Sequence, residues 1–412
     1  EKLGNYILDI AAGPFGSNIK VECFVPTGFP IIDGANLKSF KVTDNISKFV
    51  TEEKARSLHR SIAQKNDVIV TISGNVGQIS YIPEDSKYEE YLVSQRQFRV
   101  TFDTTRIYVP FLVYYFHTKE GQHKILSFAN QTGVPALAQP LKNFKNIDVD
   151  FPDIVIQKKI ANILESIDDK IENNKQINDN LEQQAQALYK SWFVDFEPFK
   201  DGEFVESEFG LIPEGWRVGK AEEFYEINIG KTPPRKEHEW FSVNNADNIW
   251  VSISDLGSGG KFIFESSEYL TDNAIKQHNI IVVPENTVLL SFKLTIGRVG
   301  IAGRKLTTNE AIARFITSKT NREYTYFMLK NYNYAALGST SSIATAVNSK
   351  IIKAMSIVMP DHICLEKFRN TVAPLIDEIK SNEEEILRLT TLRDTLLPKL
   401  MSGELKINEI DC

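Results

Sequence analysis

The chain repeats itself, and this constrains its fold more than any other feature. The stretch Thr71–Ser80 (TISGNVGQIS) lies alongside Ser291–Gly300 (SFKLTIGRVG) at a constant offset of 220, behind the apolar runs Val68–Val70 and Val288–Leu290. A second match joins Leu141–Asp153 to Ser349–Asp361 at an offset of 208, and both copies end on Pro-Asp, Pro152 with Asp153 and Pro360 with Asp361. Beyond each Pro-Asp the apolar pattern changes to a helical period, with Ile160, Ile167 and Ile171 falling opposite Phe368, Leu375 and Ile379. A fixed-period match of this kind is the signature of duplicated structural units. Each unit reads as a β-rich globular region of about 150 residues followed by one long helix. The 412 residues are 42% apolar and 25% charged, ordinary globular composition that excludes wholesale disorder or a coiled coil from end to end.

The β-rich regions follow from local chemistry. Val68–Ile72, Phe98–Phe102, Ile147–Phe151, Ile280–Val283, Val288–Phe292 and Ile312–Ile316 are short, β-branched or aromatic, and bounded by Gly, Pro, Asn and Asp, so they are expected as strands. Val109–His117 and Glu323–Tyr332 are expected as short aromatic-rich helices.

The long helices carry the clearest periodicity. Stepping by four and three from Ile160 to Trp192, the seam reads Ile, Leu, Ile, Ile, Asn, Asn, Leu, Ala, Leu, Trp; from Phe368 to Leu400 it reads Phe, Val, Leu, Ile, Asn, Ile, Leu, Arg, Leu, Leu. These are heptad seams with polar breaks. Two such helices in one chain bury their seams most simply against each other, antiparallel. Asn174 and Asn382 occupy equivalent seam positions. Facing amides satisfy each other in one alignment only and so fix register; the other reading is that each sits solvated at the edge of a looser seam. From Ile160 to Trp192 the first helix is roughly 48 Å long at 1.5 Å per residue.

The helix ends add a resemblance. Leu181–Phe196 (LEQQAQALYKSWFVDF) and Leu396–Leu405 (LLPKLMSGEL) resemble the conserved segments of the specificity subunits of type I restriction-modification enzymes, and the alternation of two variable regions with two long helices is similar across the whole chain. The resemblance implies an α+β architecture: target-recognition domains at residues 1–152 and 197–360, spacer helices at 153–196 and 361–406, and an internal pseudo-two-fold repeat with the helices paired as an antiparallel coiled coil. It implies that each recognition domain reads one half of a bipartite asymmetric DNA site and that the helices set the unread spacer. Implied partners are double-stranded DNA, two modification subunits and two restriction subunits. Leu188, Trp192 and Phe193 at one helix end, with Leu396 and Leu400 at the other, are the residues the resemblance places against the modification subunits; in isolation Trp192 and Phe193 read as core aromatics.

The net charge of −7 is at first sight wrong for a nucleic-acid partner. Its distribution weakens the objection. Residues 1–150 carry 17 Lys and Arg against 16 Asp and Glu, and residues 205–360 again 17 against 16, so the acidity resides in the helices, the connector and the tail.

Base readers are usually Arg on guanine and Asn or Gln on adenine, with Lys, Ser, Thr and backbone amides on phosphates. In the first region this chemistry falls on loops containing Ser17 and Asn18, Gln95 and Arg96, and Gln131 and Thr132. In the second it falls on Lys231, Thr232, Arg235 and Lys236, on Lys293 and Arg298, and on Ser339 and Thr340. Each of these loops is equally a surface turn. Gly230–Lys236 stands out because flexibility, a hydroxyl and three positive charges coincide there.

Catalytic signatures do not complete. Thr232-Pro233-Pro234-Arg235 departs at both ends from the Asp/Asn/Ser-Pro-Pro-aromatic grip of amino-methyltransferases, and Gly257–Lys261 lacks the spacing of a phosphate-binding loop. Asp153 with Asp168 and Lys170, repeated as Asp361 with Glu378 and Lys380, has the residue types of a metal-dependent nuclease. They lie along helices, however, where a nuclease needs adjacent strands, and Pro-Asp also simply opens a helix. His117 and His123 lack metal-ligand spacing and read as structural. Cys23, Cys364 and Cys412 form no Cys-x-x-Cys pair, which suggests a reducing compartment and no zinc site. No apolar run approaches the ~20 residues of a membrane span. No basic-then-apolar leader follows Glu1, so a cytoplasmic location is expected. The expectation is a non-catalytic DNA-reading subunit without cofactor or metal, against the alternative of an adaptor with two β-rich heads on a coiled-coil spacer and no nucleic acid.

Overall fold

The computed structural model describes residues 1–14, 16–130, 134–317, 321–337 and 347–406. Two compact units emerge, one formed by Glu1–Asp169 with the chain from Leu389 onward, the other by Lys170–Arg388. Both are mixed α and β, in line with the α+β expectation.

The first unit is built on an antiparallel sheet in the order Ile7–Ala12, Gln97–Phe102, Val68–Thr71, Ile79–Tyr81. Val68, Val70, Phe98 and Val100 line one face, all fully buried, and Ile69 and Arg99 between them are buried on the other, so the central strands are covered on both sides. Against them lies the helix Val109–His117, which buries every residue from Val109 to Phe116. A second sheet, in the order Phe24–Val25, Phe49–Val50, Phe29–Ile32, Glu90–Val93, Ile62–Gln64, contains one parallel pair in which Ile32 lies opposite Val93.

The second unit repeats this plan. Its main sheet runs Glu226–Ile229, Ile312–Ile316, Val288–Ser291, Val299–Ala302, Phe262–Ile263. Registers match strand for strand: Ile69 faces Arg99 as Leu289 faces Arg314. A smaller sheet again holds a parallel pair, Val251 opposite Thr308. The helix Arg322–Asn331 takes the place of Val109–His117.

Two expected strands do not form. Ile147–Phe151 meets the N-terminal stretch through a single bridge, Lys2 with Asp148, whereas the equivalent Ser356–Met359 is a strand because Arg217–Lys220 lies alongside it over four residues. Ile280–Val283 makes only the bridge from Val283 to Leu306, and its Ile281 and Val282 are exposed. Apolar composition did not secure a ladder partner there.

Ile154–Phe193 and His362–Met401 are helices of 40 residues each. Asp153 accepts hydrogen bonds from the Val155 and Ile156 amides at 3.0 and 3.1 Å, and Asp361 from the Cys364 amide at 2.9 Å, so both Pro-Asp acids are helix caps. Asp168 is likewise structural, taking the Tyr114 hydroxyl at 2.5 Å and the Arg393 guanidinium at 2.8 Å inside the first unit.

Within each unit the two helices touch. In the second, Asn382 donates its amide to Asn178 at 2.9 Å and Asn174 donates to Glu385 at 2.7 Å, so residue numbers rise on one helix as they fall on the other: the contacts are antiparallel. Asn174 and Asn382 therefore do not pair with each other. Partners in this alignment have numbers adding to about 560, and Asn382 meets the next polar seam residue, Asn178. The seam also drifts from a strict heptad, burying Ile376 and Leu397 beside the expected Leu375 and Leu396, as a straight helix of 3.6 residues per turn does.

Candidate nucleic-acid interface

In each unit the main sheet ends at the same corner. Gly13, just past the first strand, passes so close to the turn before the central strand that a Cβ would stand 1.9 Å from the Ser94 carbonyl oxygen; at Gly230 a Cβ would stand 2.0 Å from that of Asn309. Only glycine allows this approach. The Gly13 amide bonds to the Gln97 carbonyl at 2.8 Å, and the Gly230 amide to that of Ile312 at 3.2 Å. Ile72 and Phe292 donate to the carbonyls of Arg96 and Ala311 at 2.7 and 3.0 Å. One backbone frame thus presents the turn Ser94–Gln97 in one unit and Asn309–Ile312 in the other.

A second loop flanks each turn. Residues 72–78 and 292–298 turn through two left-handed positions, Gly74 and Gly77 at φ of 89° and 90°, Leu294 and Gly297 at 59° and 91°. Leu294 occupies a conformation that costs an L-residue roughly 1–2 kcal/mol, and its side chain is fully exposed.

The first unit brings Asn18, Gln95 and Arg96 together. Gln95 and Arg96 divide two clefts, one of 570 Å³ floored by Thr71, Asn75 and Lys48, the other of 730 Å³ walled by Gly13, Asn18 and Arg60. The turn is held from beneath by buried Gln97, which donates to Thr71 at 3.4 Å and accepts from the Ser94 hydroxyl. Asp33, at the edge, pairs with Lys48 at 2.6 Å; burial opposes its charge, yet Lys48 and the Ala35 amide hold its carboxyl below the usual range. The Gln95 and Arg96 side chains are exposed and have no hydrogen-bond partner among the described residues. Unspent donors and acceptors beside a cleft are what a base edge requires. Gln131 and Thr132 lie outside the described residues, as does the side chain of Ser17.

In the second unit the basic loop is largely engaged with its own scaffold. Lys231 caps the carbonyls of His278 and Asn279 at 3.3 and 3.0 Å. Arg235 pairs with Glu268 at 2.7 Å and lies over the rings of Phe241 and Trp250, each at 4.5 Å. Arg298 reaches back to the Ile253 carbonyl at 2.8 Å across Gly257. Lys236 and Lys293 form no ion pair within 4.0 Å among the described residues, although the Lys293 charge acts on Glu310. Ser339 and Thr340 lie outside the described residues.

Sequence reasoning missed Glu310, which stands on the turn Asn309–Ile312. Its carboxylate accepts the Thr232 hydroxyl, and it is exposed on the turn. Partial burial works against its charge, but the Thr232 hydrogen bond, the backbone and the Lys293 and Arg235 cations together hold its pKa below the ordinary carboxylate range. At neutral pH it is an ionised acceptor. The signal was present in the chain: aligning Arg99 with Arg314 sets Gln95 opposite Glu310.

Of the residues assigned to partner contact, Leu400 is buried and Leu396 packs against the core of the first unit. Trp192 and Phe193 are half-buried among Phe368, Trp216 and Phe199 in the second, and Leu188 packs beside them. His117 bonds through Nε2 to the Ile79 carbonyl at 2.8 Å and packs on Phe40, a structural placement. No group of three or more His, Cys, Asp or Glu arranged to hold a metal occurs among the described residues, and none of their helices is long and apolar enough to cross a membrane.

The duplicated chain has counterparts among known proteins. The family model described as the type I restriction modification DNA specificity domain matches twice, over residues 24–183 and 213–373. The chain belongs to this family. It is 28% identical over 372 residues to the specificity subunit of the type I restriction enzyme MjaIX of Methanocaldococcus jannaschii, covering 88% of this chain and 82% of that protein. It is 25% identical over 394 residues to the HindI specificity subunit of Haemophilus influenzae, covering 80% and 84%. In fold it is similar to the crystal structure of a type I restriction-modification S subunit from M. genitalium, with a TM-score of 0.61 at 15% identity over 97% of this chain and 95% of that one.

Proposed function

We propose that this chain is the DNA-specificity subunit of a type I restriction-modification complex, its two target-recognition domains, residues 1–152 and 197–360, each reading one half of a bipartite asymmetric site. The observation that carries this is the corner itself: one backbone frame, built twice, holds Gln95 and Arg96 in one unit and Glu310 with Thr232 and Lys293 in the other. Two readers with a common frame and different side chains recognise two different half-sites. Asn18, Gln95 and Arg96 are the contacts proposed for the first, and Thr232, Lys236, Lys293 and Glu310 for the second; Lys231, Arg235 and Arg298 hold the loops that present them. Ser17, Gln131, Thr132, Ser339 and Thr340 remain proposed contacts on chemistry alone.

The spacer helices, residues 153–196 and 361–406, set the unread length between half-sites; their 40-residue spans and antiparallel contacts support this. Leu188, Trp192 and Phe193 dock a modification subunit in the cytoplasm, while Leu396 and Leu400 serve as packing in the core of the first unit. The chain is non-catalytic: methyl transfer and ATP-driven cleavage belong to two modification and two restriction subunits. Near-neutral readers leave much of the phosphate contact to those partners.

The test is co-expression with the modification subunit in a host lacking N6-methyladenine, followed by sequencing of the DNA for that base. A bipartite methylated motif that vanishes when this chain is omitted is the expected result. A stable complex without any new motif would contradict the reading.

A further inference from the structure

We propose that Gln95 and Glu310 are the matched base-reading positions of the two units, Gln95 addressing an adenine through its amide and Glu310 a cytosine through its carboxylate. This rests on the reading of both units as DNA half-site readers.

The equivalence is geometric. Counting from the paired arginines, Arg99 and Arg314, both positions fall four residues before a buried guanidinium on the central strand. Ile69 faces Arg99 and Leu289 faces Arg314 across the sheet. Each turn is closed by the same hydrogen bond, Gln97 amide to Ser94 carbonyl at 3.1 Å and Ile312 amide to Asn309 carbonyl at 3.3 Å. Each is entered from a parallel strand pair, so that the Ser94 amide bonds to the Ile32 carbonyl at 3.0 Å and the Asn309 amide to the Val251 carbonyl at 2.9 Å. The backbones are this alike while the side chains of Ser94–Gln97 and Asn309–Ile312 differ at every position, and Gln95 and Glu310 are the equivalent pair that is exposed in both units.

Chemistry then separates the two. A glutamine amide offers one donor and one acceptor, which match N7 and the N6 amino group of adenine in the major groove; an ionised carboxylate only accepts, and matches the N4 amino group of cytosine. Gln95 lies over Gly16, where a Cβ would stand 2.4 Å from its Oε1, and makes no hydrogen bond there. Glu310 is steadied by the Thr232 hydroxyl, which leaves carboxylate lone pairs free. An acid facing DNA repels phosphates. Lys293 and Arg235, whose charges act on Glu310, offset that repulsion.

The competing role for Glu310 is purely local, as an acceptor that ties down the Thr232 loop. Glu310→Gln separates the two roles, because the glutamine oxygen still accepts from Thr232 while the amide nitrogen now donates to the base. The full chain, wild type, Glu310→Gln or Gln95→Glu, is co-expressed with its modification subunit, and the methylated motif is read by sequencing. In Glu310→Gln, one C·G position of one half-site should lose its preference by roughly tenfold or more, shifting toward A·T, with the other half-site and spacer unchanged. Gln95→Glu should do the reverse in the opposite half-site. Wild-type preferences retained in both variants would overturn the assignment while leaving the DNA-specificity reading intact. A wild-type complex that yields no bipartite motif would overturn that reading itself, and the assignment with it.

Discussion

At the residue scale, identical frames carry different burdens in the two units. Arg99 is answered by Asp9 at 2.6 Å, whereas Arg314, equally placed, donates to the carbonyls of Ile281 and Ile229 at 2.9 and 2.7 Å with no carboxylate partner among the described residues, and burial pushes its pKa down to about 10. The surroundings of Arg235 explain why the most basic loop of the chain is not its freest. Phe241 and Trp250 lie six and fifteen residues downstream of it and become its ring neighbours only once the small sheet forms. Residue type marked the loop as basic, but engagement is a tertiary property. His117 supplies a titration test. Its imidazole is held neutral because burial lowers its pKa below 6.5, with Arg393 lowering it further against the raising effects of the Ile79 bond and Asp168. The unfolded chain takes up a proton below about pH 6.5 that the folded chain resists, so this contribution is complete above that pH and lost as pH falls through it. Thermal unfolding at pH 7.5 and 5.5 should show wild type losing more stability than His117→Gln, by up to about 1 kcal/mol. Equal losses in the two proteins would rule the group out.

At the scale of elements, periodicity was legible and pairing was not. Heptad stepping located both 40-residue helices, and Pro-Asp located their caps. The partner of Asn382 was not readable, because equivalent positions in two repeats do not face each other in an antiparallel pair unless the contact centre lies midway between them. Ile147–Phe151 shows the same limit for strands: apolar alternation is local, while a ladder needs a neighbour of matching length. The Asn178 and Asn382 contact yields a stability prediction. Asn382→Leu strands a buried Asn178 amide and should cost about 1–3 kcal/mol in denaturant unfolding, whereas Asn178→Leu with Asn382→Leu should recover most of that loss. A double variant as unstable as the sum of the singles would show that the amides do not act as a pair.

At the scale of the whole molecule, the duplication organises everything else. It was visible in the offsets of 220 and 208, and the family match falls once on each copy. The corner residues were half legible: Gln95 by residue type, Glu310 only after the central strands were set in register, since an acid is an unexpected neighbour for DNA. The claim that follows is that each unit reads one half-site independently. The measurement that tests it most directly exchanges residues 1–152 for the corresponding region of another family member and sequences the N6-methyladenine motif made by the complex. The account predicts that one half-site changes while the other half-site and the spacer stay as in wild type; a motif altered in both halves, or in neither, would contradict it.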